Sequence, residues 1–299
     1  MGTYNDTMET SIIYATFFTE LADKRTNSWF LMEDPFPTCI ILAFWMYFVL
    51  IFGPTWMKDK QPFNLRTILI IYNFLQIIAS VYVFVRGGQL CWFANCSWKC
   101  EPVDFSTNHT ALEVAGLFHF YYLVKITELL DTIFFVLRKK NRQINFLHVY
   151  HHTVMPVVAW FGTKYLPGGH GAFIGFLNSF IHIIMYSYYI LAALGPSIQK
   201  YLWWKKHITT MQLLQFCCIF IHNSQLLFHD CGYPYWVFFV TAPNAIFFYQ
   251  LFTQFYKDAY LKNRYKVLKK EANYDYNEDT TDDEISNENG KIVLKDKIN

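Results

Sequence analysis

The chain has 299 residues, of which 54% are hydrophobic, 20% aromatic and only 16% charged. Soluble domains carry about a quarter charged residues, so this composition argues against an ordinary soluble protein. The net charge of +2 gives no reason to expect a nucleic-acid partner. Because the apolar residues lie in long blocks, the sequence predicts an all-α integral membrane protein surrounded by a lipid bilayer.

Seven apolar blocks are long enough to cross a bilayer as helices. They cover residues 38–57, 67–85, 112–137, 146–165, 172–194, 208–228 and 235–255. We expect a seven-span domain at 37–262, preceded by a polar segment at 1–36 on the lumenal side. The tail at 263–299 is rich in Asp, Glu and Asn, and is predicted to be largely disordered.

Basic residues are concentrated in alternate loops between these blocks. They include Lys58 and Lys60 after the first block, Arg138, Lys139, Lys140 and Arg142 after the third, and Lys200, Lys205 and Lys206 after the fifth. The positive-inside rule therefore places the N-terminus outside the cytosol and the C-terminus in it. Glycosylation acceptors and four cysteines fall on the non-cytosolic, oxidising side: Asn5, Asn95, Cys91, Cys96, Cys100 and Cys231. The C-terminal Lys295-Asp-Lys297-Ile-Asn299 is similar to a dilysine retrieval signal, which predicts residence in the endoplasmic reticulum membrane.

The third block carries three charged side chains inside an apolar run. Lys125, Glu128 and Asp131 are spaced three residues apart, so neighbouring members can meet on one helix face. An internal Lys125–Glu128 ion pair explains two of them without any chemistry. Asp131 is then left without a partner on its own helix, which indicates a partner on another helix.

Three histidines stand near the start of the fourth block. His148, His151 and His152 share one face of a helix. An interfacial histidine patch is the simpler explanation. However, polar groups in membrane segments are costly and usually face a protein interior where they have a function. We therefore expect their partners on other helices.

Polar side chains of the fifth and sixth blocks lie at a similar depth. They are Asn178, His182, Met185 and Tyr189 on one stripe of the fifth block, and Gln212 and Gln215 on the sixth. Counting about 1.5 Å per residue from the basic loops places these groups, the histidines and Asp131 in one layer of the cytosolic half of the membrane. Imidazoles, a carboxylate and neutral amides suit acyl transfer, because an imidazole can attack a thioester while amides hold the oxyanion.

Four motifs in this order resemble the ELO family of fatty-acid elongases, the membrane 3-ketoacyl-CoA synthases. They read Lys125-x-x-Glu128-x-x-Asp131-Thr132, His148-x-x-His151-His152, Asn178-x-x-x-His182-x-x-Met185-Tyr186-x-Tyr188-Tyr189 and Thr209-x-x-Gln212-x-x-Gln215. Each motif is weak alone, but all four in this order and at this spacing are highly specific. The resemblance runs from about residue 23 to residue 265.

The resemblance implies a fold and a reaction. The family has seven transmembrane helices, six of which form a barrel of two inverted three-helix units around an acyl tunnel. It joins a long-chain acyl-CoA to malonyl-CoA and releases CoA and carbon dioxide, which gives a 3-oxoacyl-CoA two carbons longer. No metal or cofactor is expected. The implied partners are the reductases and the dehydratase of the elongation cycle, and a homo-oligomer is a further expectation.

The resemblance also implies residue roles. His151 attacks the acyl thioester to form an acyl-imidazole, and Asp131 and His148 orient it. Malonyl and oxyanion binding is assigned to His152, His182, Asn178 and Gln212. The remaining expected substrate-binding residues are Lys125, Glu128, Tyr186, Tyr189 and Gln215, with Arg138, Lys139 and Lys205 for the CoA phosphates. A disulfide between Cys100 and Cys231 is expected as well.

Two other protein classes remain open on the residues alone. A membrane di-iron desaturase or hydroxylase also carries histidine boxes, but two irons need a large ligand set and this chain has a single HxxHH box. A seven-span receptor or transporter can use a buried layer of Lys, Glu, Asp and His as a proton relay. Iron content and a turnover assay separate these classes from an elongase.

Overall fold

The computed structural model describes residues 20–93 and 96–261, and every regular element in this part of the chain is helical. The main helices are α1 (Phe36–Tyr47), α2 (Arg66–Gly87), α3 (His109–Thr127), α4 (Leu129–Leu137), α5 (Phe146–Tyr165), α6 (Ala172–Ala193), α7 (Lys205–Ser224) and α8 (Trp236–Tyr256). π-Helical turns extend α1 through Phe48–Phe52 into Gly53–Met57, and extend α2 through Gly88–Trp92. The glycosylation acceptors Asn5 and Asn95 and the predicted tail at 263–299 lie outside the described residues.

The chain divides into two compact units, Met1–Phe252 and Thr253–Asn299. In the second unit the described residues are the end of α8 and a π-helical turn at Lys257–Leu261. The candidate site lies entirely in the first unit.

Four helical segments of the described chain are long and apolar enough to cross a membrane. They are Phe36–Met57, Arg66–Trp92, Gly169–Ala193 and Trp236–Leu261, and they correspond to the first, second, fifth and seventh predicted blocks. The other three blocks are also helical, but polar and charged residues interrupt their apolar runs. Phe44, Ile71 and Phe239 are 73%, 56% and 61% exposed, as expected for side chains that face lipid. The architecture is therefore that of a multi-pass membrane protein.

The third predicted block is not the continuous helix that the sequence predicts, because Glu128 separates α3 from α4. Backbone carbonyls at a helix break need new hydrogen-bond partners, above all in a membrane. The hydroxyl of Tyr72 on α2 donates to the Thr127 carbonyl at 3.3 Å. The indole N–H of Trp45 on α1 donates to the Leu129 carbonyl at 2.9 Å. Two neighbouring helices thus hold the break in place.

The segment before α1 is folded against the end of α5. Lys164 is 0% exposed. Its ammonium donates to Asn27 Oδ1 at 2.9 Å and to the backbone carbonyls of Met32 and Glu33 at 2.6 and 3.1 Å. These three acceptors match the three N–H donors of a lysine ammonium, so the buried cation is fully hydrogen-bonded.

Two disulfides tie loops together. Cys100 in the loop after α2 is joined to Cys231 in the loop after α7, and their Cα atoms lie 5.9 Å apart. A second disulfide joins Cys91 to Cys96, with Cα atoms 4.7 Å apart, and the sequence analysis did not predict this pair.

Three pairs of packed helices surround the candidate site. α2 packs along α6, α3 along α5, and α6 along α7. The break between α3 and α4 therefore lies next to the polar stripe of α6 and the histidines of α5.

Candidate active site

An ion pair between Lys125 and Glu128 lies at the junction of α3 and α4. Lys125 Nζ donates to Glu128 Oε1 at 2.7 Å, and both side chains are 2% exposed. The same ammonium donates at 2.8 Å to Asn178 Oδ1 on α6, which also accepts a 2.9 Å hydrogen bond from the Tyr121 hydroxyl. His182 Nδ1 lies 3.0 Å from Glu128 Oε1 but is not aligned for a hydrogen bond. The pair expected from the spacing is therefore present, and it also reaches α6.

Asp131 has its partner on α6. The Tyr186 hydroxyl donates to Asp131 Oδ2 at 2.9 Å, and the two residues are 0% and 7% exposed. Tyr72 of α2 packs edge-on against Tyr186, with ring centroids 6.3 Å apart. The expected partner on another helix is present, and it is a tyrosine rather than a member of the histidine box.

His148 is held by the residue that follows Asp131. Thr132 Oγ1 and His148 Nε2 lie 2.8 Å apart in a hydrogen bond. At the start of α5, Asn145 Oδ1 accepts the backbone N–H of His148 at 2.9 Å. This N-cap begins the helix immediately before the histidines and so fixes where they point. Thr132 stands in the Lys125 motif, but nothing in the sequence pattern indicates this role for it.

The three histidines of α5 are in ring contact. The ring centroids of His148 and His152 lie 4.2 Å apart, and those of His151 and His152 lie 5.2 Å apart. Phe248 of α8 meets the His151 ring at 5.5 Å and 69°, and stacks on Phe216 of α7 at 5.4 Å. An aromatic side chain of the last helix therefore covers one side of His151.

The two glutamines of α7 have different surroundings. The side-chain amide of Gln212 donates to Met185 Sδ at 3.8 Å. Gln215 is 6% exposed, and its Oε1 has no hydrogen-bond partner among the described residues. A buried acceptor without a partner is uncommon in proteins, which makes this oxygen a candidate contact for a bound ligand. Tyr189 packs edge-on against Tyr186, with centroids 5.8 Å apart.

The basic loops are joined to one another. Lys139 Nζ donates to the Lys58 carbonyl at 2.9 Å, and Arg66 Nη2 donates to the Leu194 carbonyl at 2.6 Å. These contacts bring the loops after α1, α4 and α6 to one end of the helices. The predicted CoA-binding residues lie in or beside these loops: Arg138, Lys139 and Lys205.

The site combines groups for proton transfer and nucleophilic attack. The buried Lys125–Glu128 pair lies 3.0 Å from the ring of His182, and the imidazoles of His148, His151 and His152 adjoin one another on α5. Imidazoles in such a setting can act as nucleophile or as general base. Within residues 20–93 and 96–261, no group of three or more His, Cys, Asp or Glu side chains is arranged to hold a metal ion.

We compared the sequence with known protein families and with individual proteins, and both comparisons point to the same family. The sequence profile of the ELO family, described as the GNS1/SUR4 family, matches residues 30–267. The chain is 46% identical over 242 residues to very long chain fatty acid elongase 7 of Drosophila melanogaster, which covers 81% of this chain and 74% of that protein. It is 45% identical over 248 residues to very long chain fatty acid elongase 7 of Rattus norvegicus, covering 81% and 87%. It is 44% identical over 256 residues to very long chain fatty acid elongase 4 of Homo sapiens, covering 86% and 80%.

Proposed function

The chain belongs to the ELO family, and on that premise we propose that it condenses a long-chain acyl-CoA with malonyl-CoA. The products are CoA, carbon dioxide and a 3-oxoacyl-CoA two carbons longer. The names of its relatives support a role in fatty-acid elongation. The observation that carries the finer proposal is the 2.8 Å hydrogen bond by which Thr132 joins His148 of the α5 histidine face to the helix that begins at the Lys125–Glu128 pair. The reaction requires no metal and no cofactor besides the two thioesters.

The first half-reaction forms an acyl-imidazole. The unprotonated ring nitrogen of His151 attacks the thioester carbonyl carbon, the C–S bond breaks, and CoA leaves as a thiolate. The proton on the other ring nitrogen passes to that thiolate, and the adjoining rings of His152 and His148 offer a path for it. Thr132 fixes the orientation of His148 through the 2.8 Å hydrogen bond, in the way a third group orients a catalytic base.

The second half-reaction consumes malonyl-CoA. Its carboxylate leaves as carbon dioxide, and the electron pair of the broken C–C bond forms an enolate. The enolate carbon attacks the acyl-imidazole carbonyl, the C–N bond breaks, and the imidazolate of His151 takes up a proton from water, which restores its original form. Neutral amides and a buried cation suit the oxyanions of both steps, and Asn178, Gln212 and Lys125 offer such donors. In this proposal His182 and the open oxygen of Gln215 contact the malonyl group.

A seven-span topology is part of the proposal, and loop contacts argue for it. Two loops in contact lie on the same side of a membrane, so an even number of crossings separates them. The Lys139–Lys58 contact spans α2 and the α3–α4 pair. Because α2 is apolar enough to cross, this contact supports a crossing by the α3–α4 pair as well.

Two further contacts extend the same argument. The Lys164–Met32 hydrogen bond spans α1, α2, α3–α4 and α5, so α5 must also cross. The Cys100–Cys231 disulfide spans α3–α4, α5, α6 and α7, so α7 must cross. Together with α8, which is apolar enough to cross, these contacts support seven spans.

The proposed surroundings follow from this topology. The basic loops face the cytosol, which puts the N-terminus in the lumen of the endoplasmic reticulum and the C-terminus in the cytosol. Six of the seven spans enclose the acyl tunnel, within a domain at 37–262. The reductases and the dehydratase that process a 3-oxoacyl-CoA are the proposed partner enzymes, and a homo-oligomer is part of the proposal.

The test uses purified protein in lipid nanodiscs, an acyl-CoA, and malonyl-CoA labelled in its free carboxyl group. We expect labelled carbon dioxide and 3-oxoacyl-CoA in equal amounts, and an acyl adduct on the protein when acyl-CoA is given alone. His151→Ala should remove both turnover and adduct. His207→Ala is the matched control, because this exposed histidine of α7 packs only edge-on against Trp203 among the contacts described.

Other outcomes point elsewhere. A desaturated or hydroxylated product of unchanged length, with iron bound to the protein, would identify a di-iron enzyme. An absence of any turnover would favour a transporter or receptor. Normal condensation without an adduct would refute the covalent step but leave the condensation intact.

A further inference from the structure

A half-open groove of about 350 Å³ lies between α2 and α3, apart from the candidate active site. Tyr82 and Phe120 form part of its apolar wall, and their rings meet edge-on at 5.0 Å. Leu117 and Leu123 continue that wall along α3. Arg86 and Glu113 form a polar end, and His119, whose Nε2 is hydrogen-bonded to the Phe30 carbonyl at 2.9 Å, also lines the groove.

The polar end presents both signs of charge. Arg86 Nη2 donates to both oxygens of Glu113, at 2.9 and 3.0 Å, and Nη1 donates to Gln89 Oε1 at 2.7 Å. The two charged side chains are 34% and 36% exposed, so each keeps an open side. His109 Nδ1 also lies 3.7 Å from Glu113 Oε2, and because a carboxylate has about four acceptor sites, Glu113 can still accept another donor while it holds Arg86. The pair is neutral in sum and does not select for a net negative ligand.

The groove is open beside α3 because Gly116 has no side chain. A Cβ atom built on Gly116 meets nothing within 4 Å. A glycine inside a helix is less stable than alanine by about 0.5–1 kcal/mol, and membrane helices usually place one where another helix approaches closely. No neighbouring atom approaches here, so the missing side chain adds to the groove. Glu113 and Leu123 are separated by about 15 Å along the helix, enough for a polar head and part of an acyl chain.

We propose that this groove binds one zwitterionic phospholipid. Its phosphate lies beside Arg86, its ammonium group lies beside Glu113, and one acyl chain lies over Gly116. The opposite charges at one end and the apolar walls beyond them match the two parts of such a lipid. This inference does not depend on the proposed reaction.

The experiment counts lipid retained by the full chain after delipidation in detergent, by native mass spectrometry with added phosphatidylcholine or phosphatidylglycerol. We expect one phosphatidylcholine per chain and at least tenfold weaker retention of phosphatidylglycerol. Gly116→Leu should fill the groove and remove the bound lipid. Gly162→Ala is the control and should bind as wild type, because its Cβ makes only ordinary contact with Phe118.

A second variant covers the case in which Gly116→Leu does not fold. Arg86→Gln combined with Glu113→Gln keeps two amides that can bond each other but removes both charges, and should weaken phosphatidylcholine retention at least tenfold. Wild-type retention in either folded variant overturns the proposal, as does a preference for phosphatidylglycerol. If Gly116→Leu instead dissolves an oligomer of the wild type and leaves bound lipid unchanged, the groove holds a second copy of the chain and the lipid proposal is wrong.

Discussion

The hydroxyl of Tyr186 donates a 2.9 Å hydrogen bond to the carboxylate of Asp131, and this bond joins α6 to α4 beside the histidines. A hydrogen bond to a charged group contributes about 1.5–3 kcal/mol, and here the carboxylate is buried. Tyr186→Phe should therefore lower the kcat of condensation by about tenfold to a hundredfold, since a tenfold change corresponds to about 1.4 kcal/mol. Steady-state kinetics with the product quantified by mass spectrometry measures it.

The control for this variant is Tyr249→Phe, which removes the hydroxyl of a tyrosine that is 42% exposed on α8. It should leave kcat unchanged. Equal kinetics in the two variants would mean that the Tyr186–Asp131 bond does not position any catalytic group.

The burial of the Lys125–Glu128 pair predicts how substitutions of these two residues change the free energy of unfolding. Lys125→Met leaves Glu128 buried without its cation, and removing one partner of a buried pair costs about 3–5 kcal/mol. Adding Glu128→Gln removes the second charge and should restore most of that loss. Thermal unfolding in detergent, followed by tryptophan fluorescence, measures both variants.

In the double variant we expect the stability to recover but not the condensation activity. The double variant should remain without condensation activity, because the amide network at Asn178 has lost its cation. An active double variant would show that the pair serves the fold alone.

The position of Phe248 predicts that this side chain keeps water away from the acyl-imidazole on His151. An acyl-imidazole is open to hydrolysis, and Phe248 covers one side of the His151 ring at 5.5 Å while it is 3% exposed. Phe248→Ala should therefore raise the release of free fatty acid relative to 3-oxoacyl-CoA. Phe247→Ala, on the same helix but 36% exposed and directed at Tyr150, is the control. An unchanged ratio in Phe248→Ala would contradict the shielding role.

The basic loops make a prediction about the CoA phosphates. Arg138→Gln should raise the KM for acyl-CoA and malonyl-CoA with little change in kcat, as expected when an interaction common to ground and transition states is lost. Added salt should raise the KM of the wild type more than that of the variant, because the lost contacts are the screened ones. Lys99→Gln, in a loop assigned to the opposite side of the membrane, should change neither quantity. Lower expression with an unchanged KM would mean that Arg138 serves insertion only.

The two disulfides should differ in their contribution to stability. By the chain-entropy relation, closing a loop of 131 residues stabilises by about 5 kcal/mol and closing one of 5 residues by about 2 kcal/mol. Cys231→Ser combined with Cys100→Ser should therefore lower the unfolding temperature more than Cys91→Ser combined with Cys96→Ser. Peptide mapping without reductant checks the pairing first, and a Cys96–Cys100 peptide would contradict it.

Helix periodicity predicted the parts of this site that depend on one helix. The common face of His148, His151 and His152 and the Lys125–Glu128 pair both follow from spacing within a helix, and both are present. The all-helical class follows from the same apolar blocks and is confirmed for the described residues.

The parts that sequence reasoning missed depend on how helices pack. The break at Glu128 depends on side chains of α1 and α2 that donate to the carbonyls of Leu129 and Thr127. Phe248 reaches His151 from a helix nearly a hundred residues later in the chain, where it is one of many aromatic residues. The lone Thr132 hydroxyl carries no periodic pattern that would single it out as the partner of His148.

The buried ammonium of Lys164 has a consequence for biosynthesis. Its acceptors precede it by 131 to 137 positions, so the ribosome delivers them long before the lysine itself. α5 carries no acidic side chain that could pair with the Lys164 ammonium. Docking of α5 is therefore complete only if residues 27–33 are already on the side of the membrane where the end of α5 comes to lie. Residues 27–33 are therefore a prerequisite for docking α5, and in the proposed topology an N-terminal fusion that delays their translocation should stall assembly at this helix.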